Sequence, residues 1–166
     1  FGLRLVVETR EAEHADDLLE YADPRDPLVW LRRGEGFVAV GGAAPVAAIH
    51  IPGGEAERSV RMAEAWRALS ADAVVDDAVQ VPGTGLVGFT ALAFDDRSAA
   101  ASVLIVPSVI VGRRGGRSWI TRITREGAPL PEAPTAPTPY GPHWSATLGP
   151  GALAPEGYQA AVRGGL

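Results

Sequence analysis

Few residues in this sequence have the types and spacing to do chemistry. The first candidate is Gly83-Thr84-Gly85-Leu86-Val87-Gly88, which has the G-x-G-x-x-G spacing that lets a backbone cradle a pyrophosphate. That chemistry requires a helix N-terminus directly after the last glycine, because the phosphate sits on free N–H groups there. Phe89-Thr90-Ala91-Leu92-Ala93-Phe94 follows instead and reads as a strand. No acid stands ~20 residues further on to hold a ribose. The segment is expected to be a glycine-rich entry into a packed strand.

Three histidines are present, His14, His50 and His143. His14 lies near Asp16 and Asp17, His50 falls in an apolar stretch, and His143 lies among prolines. Without helical spacing between them they do not predict a metal site. Asp76-Asp77 and Asp95-Asp96 are adjacent pairs whose side chains diverge, so each is expected to mark a surface turn. Ser145 follows His143-Trp144, but no G-x-S-x-G elbow exists to make a nucleophile of a serine. Arg113, Arg114, Arg117, Arg122 and Arg125 cluster on a hairpin. They are expected to form a solvated face, with an anionic partner or the acidic front half as alternatives. No residue is expected to be catalytic, cofactor-binding or metal-ligating.

Composition narrows the chemistry further. The 166 residues include no cysteine and no lysine, and all 15 basic residues are arginine. Thiol catalysis, thiolate metal sites, Schiff bases and a Walker-type loop are therefore excluded within the chain. Residues 1–96 hold 17 acids and 8 arginines, whereas residues 97–166 hold 3 acids and 7 arginines. An acidic front half argues against a nucleic-acid-binding face. No apolar run reaches the ~18 residues that would span a bilayer. No signal peptide is visible, so a cytoplasmic location is expected.

The elements that would position these residues can be read in order. Leu3–Thr9 reads as a strand, and His14–Tyr21 as a short helix with a Leu18/Leu19 face. Leu28–Arg32 and Phe37–Val40 flank Gly34-Glu35-Gly36 and predict a hairpin; Val46–Ile51 is a third apolar stretch. Glu55–Asp72 predicts a helix. Met62, Ala65, Trp66, Leu69 and Ala73 form its buried stripe, and Glu55, Glu57, Arg58, Arg61 and Arg67 lie on its other faces. Burying Trp66 and Leu69 is worth ~2–3 kcal/mol each. Leu86–Phe94, Val103–Val106, Val109–Val111 and Ser118–Thr124 read as strands, the last two joined by a turn at Gly115-Gly116. Sequential strands with tight turns predict an antiparallel sheet. Residues 128–155 carry eight prolines and read as a connector; the lack of a flanking basic residue argues against a P-x-x-P ligand. A helix starts at Pro155, so the expected organisation is residues 1–127 as a subdomain, 128–155 as connector and 156–166 as the start of a further helix.

The order of these segments resembles the N-terminal half of the chorismate-utilising enzymes, most closely the isochorismate synthases of menaquinone and siderophore pathways. Leu28–Gly41 is similar to the family's early hairpin, ending in the bend Gly41-Gly42-Ala43. Pro82–Asp95 resembles its glycine-rich strand closing in Phe-Asp, and Leu104–Pro107 with Val111–Arg114 and Trp119–Thr121 resembles the next hairpin. Gly157–Val162 resembles the start of the helix that leads into the catalytic half. The resemblance implies an α+β fold in which this chain supplies one antiparallel β-sheet and flanking helices of a larger two-sheet body. It also implies a parent enzyme that converts chorismate to isochorismate with Mg²⁺, using a lysine base, a glutamate acid and metal-binding glutamates. These lie in a catalytic half expected beyond this chain, which becomes its partner. Salicylate, anthranilate or aminodeoxychorismate synthases are alternatives within the family, and a non-enzymatic β-rich binding module is the alternative outside it. Leu18-Leu19-Glu20 is similar to a tryptophan-binding motif of anthranilate synthases, but Tyr21 stands where that motif has serine, so no effector site is expected.

Overall fold

The structure, a computed structural model, describes residues 4–41, 44–134, 145–147, 149 and 151–165. Nine strands and two α-helices are present among them: β1 (Leu5–Ala12), β2 (Val29–Arg32), β3 (Glu35–Ala39), β4 (Ala47–Ile51), α1 (Arg58–Ala71), β5 (Val74–Asp77), β6 (Phe89–Ala91), β7 (Ser102–Val106), β8 (Val109–Arg114), β9 (Arg117–Arg125) and α2 (Pro155–Gly164). The fold is mixed α+β with mostly antiparallel pairing. The chain supplies two sheets rather than the single sheet expected. One has six strands in the order β2-β3-β8-β9-β1-β5, and the other has three in the order β4-β7-β6.

Sequence patterning accounts for most of this. Trp119, Thr121 and Ile123 alternate along β9 and are all buried, as period-two spacing requires of a half-buried strand. Trp119 is fully buried against Gly112 on the neighbouring strand β8. A Cβ at that glycine would stand 2.3 Å from the indole ring, so only glycine fits. The main core lies between the sheets and α1, where Leu5, Val7, Ile110 and Ile123 meet Ile51, Leu104, Val106 and Met62. A second cluster covers part of the other face of the six-stranded sheet. There Ala15, Leu18 and Ala22 pack on Val38 and Val111.

Several expectations are corrected. The helix read at 14–21 shrinks to one 3-10 turn, Leu18–Tyr21, started by Asp17 accepting from the Leu19 amide. The helix read at 55–72 begins at Arg58, because Glu57 adopts a left-handed backbone, φ 56°. Arg58 is not on a solvent face: it is 1% exposed, and its guanidinium donates to the carbonyls of Asp95, Asp96, Ser98 and Ala100 at 2.6–3.0 Å. Its neighbours on the stripe fare differently, with Met62 buried and Trp66 and Leu69 half-buried. The strand read over Leu86–Phe94 is only Phe89–Ala91. Pairing is not wholly antiparallel, since β5 lies parallel to β1, with Val6 opposite Val74 and Thr9 opposite Asp77. The helix α1, running directly into β5, supplies the crossover that parallel pairing needs. Pro107-Ser108 is a switch between sheets, with β7 before it in the small sheet and β8 after it in the large one.

Candidate functional site: an apolar cleft between the sheets

The glycine-rich segment is fastened to the large sheet by its own hydrogen bonds. Asp77 accepts from the amides of Val79 and Gln80 and from the Thr84 hydroxyl, and Thr84 also donates to the Val81 carbonyl. The Gly85 amide donates to Thr9, whose hydroxyl pairs with Thr121 at 2.8 Å inside the core. At Gly83 (φ +103°) a Cβ would lie 2.9 Å from Phe37. The glycines therefore serve close packing, and the Gly85 amide already has a partner. Burial raises the Asp77 pKa, but the hydrogen bonds from Thr84, Gln80 and Val79 outweigh it and hold the carboxyl below its ordinary value. Asp76-Asp77 is thus part of strand β5, not the surface turn expected. Asp76 pairs with Arg10 at 2.5 Å, and that partner lowers its pKa. Asp95-Asp96 does lie in a turn, where the Arg97 side chain lowers the pKa of Asp95.

The arginine hairpin meets the acidic front half. Arg117 pairs with Glu11 at 2.5 Å, and Arg122 pairs with Glu8. Arg113 instead donates to the carbonyls of Ala15, Asp16 and Gly34, and Arg125 to that of Val46. Four of the five arginines thus hold the chain's own groups. His14 stands 3.6 Å from Asp16, and His50 is on β4. His143, the bend at Gly42-Ala43 and the prolines at 137, 139, 142 and 150 lie outside the described residues. The preceding stretch, 128–134, runs beside β9, with Arg122 donating to the Pro131 carbonyl.

One concave surface is apolar. Register places Trp30 beside Phe37 across β2 and β3, Phe89 beside Ile105 across β6 and β7, and Ala91 beside Val103. These residues line a cleft of about 530 Å³ where the edge of the large sheet meets the outer face of the small one, closed by Pro27, Leu28 and Gly88. Phe37 and Phe89 meet edge to face at its floor, with centroids 5.5 Å apart and planes at 71°. Trp30 is 70% exposed at its rim. No charged side chain lines it. Sequence reasoning missed this site because it searches for polar constellations. The legible signal was apolar alternation in Phe89/Ala91 and Val103/Ile105 on short strands with nothing assigned to cover them.

The resemblance implies Mg²⁺, but the acidic residues described do not gather to hold it. Among the described residues no three of His, Asp and Glu gather as a metal site. The two buried side-chain nitrogens without hydrogen-bond partners, Arg58 Nε and Trp119 Nε1, are donors and not metal ligands. These residues do not fit the metal, and no chemical step is derived through it. Nor is any of the described helices long and apolar enough to cross a membrane. No protein-family model, curated protein or solved structure matches this chain.

Proposed function

We propose that this chain is the structural N-terminal portion of an isochorismate synthase-like, chorismate-utilising cytoplasmic enzyme. Its apolar cleft is the face that the catalytic half covers. One observation carries the reading: a sheet face and a neighbouring sheet edge present Trp30, Phe89, Val103 and Ile105 around an uncharged cleft. An apolar surface left open in this way gains free energy when another segment or partner covers it. The order of hairpin, helix, glycine-rich strand and second hairpin supports the choice of family. In this reading the lysine base, the glutamate acid and the Mg²⁺ ligands belong to the catalytic half. This chain's work is to hold that half in shape.

The test is chorismate turnover with Mg²⁺, followed by product analysis, on the full-length polypeptide that carries this sequence and on the 166 residues alone. Isochorismate from the first and nothing from the second is expected. Turnover by the 166 residues alone would overturn the division of roles. A full-length protein that leaves chorismate untouched would overturn the family assignment, and salicylate, anthranilate or aminodeoxychorismate as product would move it within the family.

A further inference from the structure

The helix α2 has an unpartnered apolar stripe of its own. Tyr158, Ala161 and Val162 stand at i, i+3 and i+4 and share one face, while Glu156, Gln159 and Arg163 share the opposite one. None of its residues is buried; Tyr158 is 65% exposed and Val162 47%. A 10-residue helix with glycines at 157 and 164 is marginal in water by itself, and such helices gain their stability from packing an amphipathic face. This helix therefore needs a surface.

Charge narrows the choice. One depression beside β9 includes Arg125 and Glu132, one beside β3 includes Asp23 and Asp26, and one at the start of α1 includes Asp95, Asp96 and Arg97. Only the cleft around Trp30 and Phe89, among these four, has an uncharged lining to match an uncharged stripe. Chain length permits the contact. The 20 residues from 135 to 154 separate Pro134 from α2, a span of at most ~65 Å when extended. A domain of this length has a radius of gyration of ~15 Å. Tethering also raises the local concentration of the helix toward ~mM.

We propose that α2 seats its Tyr158/Ala161/Val162 face in the apolar cleft of this same chain, as the first element to cover it. The inference deepens the functional reading by naming the covering segment, and it fails or stands by a different measurement. The helix then enters the catalytic half from a fixed point on the small sheet.

The absence of cysteine makes the test clean. Ala91→Cys on β6 and Ala161→Cys on α2, both exposed positions, are introduced together in the 166-residue chain and oxidised. The expected product is a reducible, faster-migrating monomer. It should form at least tenfold faster than the crosslink of a control pair, Ala71→Cys with Ala161→Cys, which places the first thiol at the far end of α1. Adding Val162→Asp should bring the two rates together. Equal rates for both pairs, no crosslink, or a disulfide-linked dimer would each overturn the proposal, the last by assigning the cleft to a second copy. Far-UV circular dichroism on each variant checks that the sheets are intact. A failed crosslink beside a full-length enzyme that makes isochorismate would sink α2 as the occupant and leave the functional reading standing.

Discussion

The outer face of the six-stranded sheet over β1, β5 and β9 carries Glu8, Arg10, Asp76 and Arg122, paired across the strands. The outer face of the three-stranded sheet carries Phe89, Ala91, Val103 and Ile105 beside Ala48 and His50; Phe89 meets Phe37, while Ala91, Val103 and Ile105 line the open cleft. Apart from Phe89, which also packs against the main core, these residues lie on the far side of their sheets from it. The first is compatible with water, because opposite charges on neighbouring strands satisfy one another while remaining hydrated. The second leaves apolar area in water and gains free energy when something covers it. The contrast separates a face that water satisfies from a face that gains by being covered.

Changes to each region should show this difference, against the shared core as reference. Ile110→Ala, in the fully buried centre, should cost about 3 kcal/mol in denaturant unfolding, since the cavity has no slack to collapse into. Asp77→Ala should cost ~1–2 kcal/mol by releasing the 77–85 loop from three hydrogen bonds. Because the folded Asp77 carboxyl is held below its ordinary value of 3.8, its stabilisation is complete above that value and is lost as the pH falls through the lower folded one. Acid unfolding of the wild type should therefore steepen below pH ~4, and the variant should lack that component.

Smaller effects test the two outer faces directly. Glu8→Ala removes the partner of Arg122, which is 30% exposed, and should cost about 1 kcal/mol, less at high salt. Trp30→Ser should cost the 166-residue chain less than ~1 kcal/mol, because the side chain is 70% exposed at the rim of the cleft in which α2 is proposed to sit. In the proposed full-length enzyme the same substitution should lower the yield of soluble, active protein. A cost of several kcal/mol in the isolated chain would mean that Trp30 is core rather than the rim of a cleft that α2 covers.

The strands were legible where period-two alternation coincided with burial, as in β9, and where turn residues bracketed a run, as at Gly115-Gly116. The strand β5 was not legible. Val74-Val75-Asp76-Asp77 is too short and too acidic to read as a strand, and it exists through parallel pairing with β1 and the Arg10–Asp76 contact. Arg58 was misplaced because a charged residue at a helix start reads as solvated; no local pattern announces the four carbonyls that arrive from residues 95–100. The second sheet was missed for a similar reason, since Pro107 looks like a break within one sheet rather than a passage between two. The cleft was the least legible part, because its lining comes from β2, β3, β6 and β7 and contains none of the residue types that signal chemistry.

Oxidative footprinting of Trp30 in the proposed full-length polypeptide, folded and urea-unfolded, tests the central claim most directly. The account predicts that folding protects the Trp30 indole at least tenfold, with modification recovered on unfolding. Equal reactivity in the two states would mean that this face stays open to water in the complete protein, and would contradict the account.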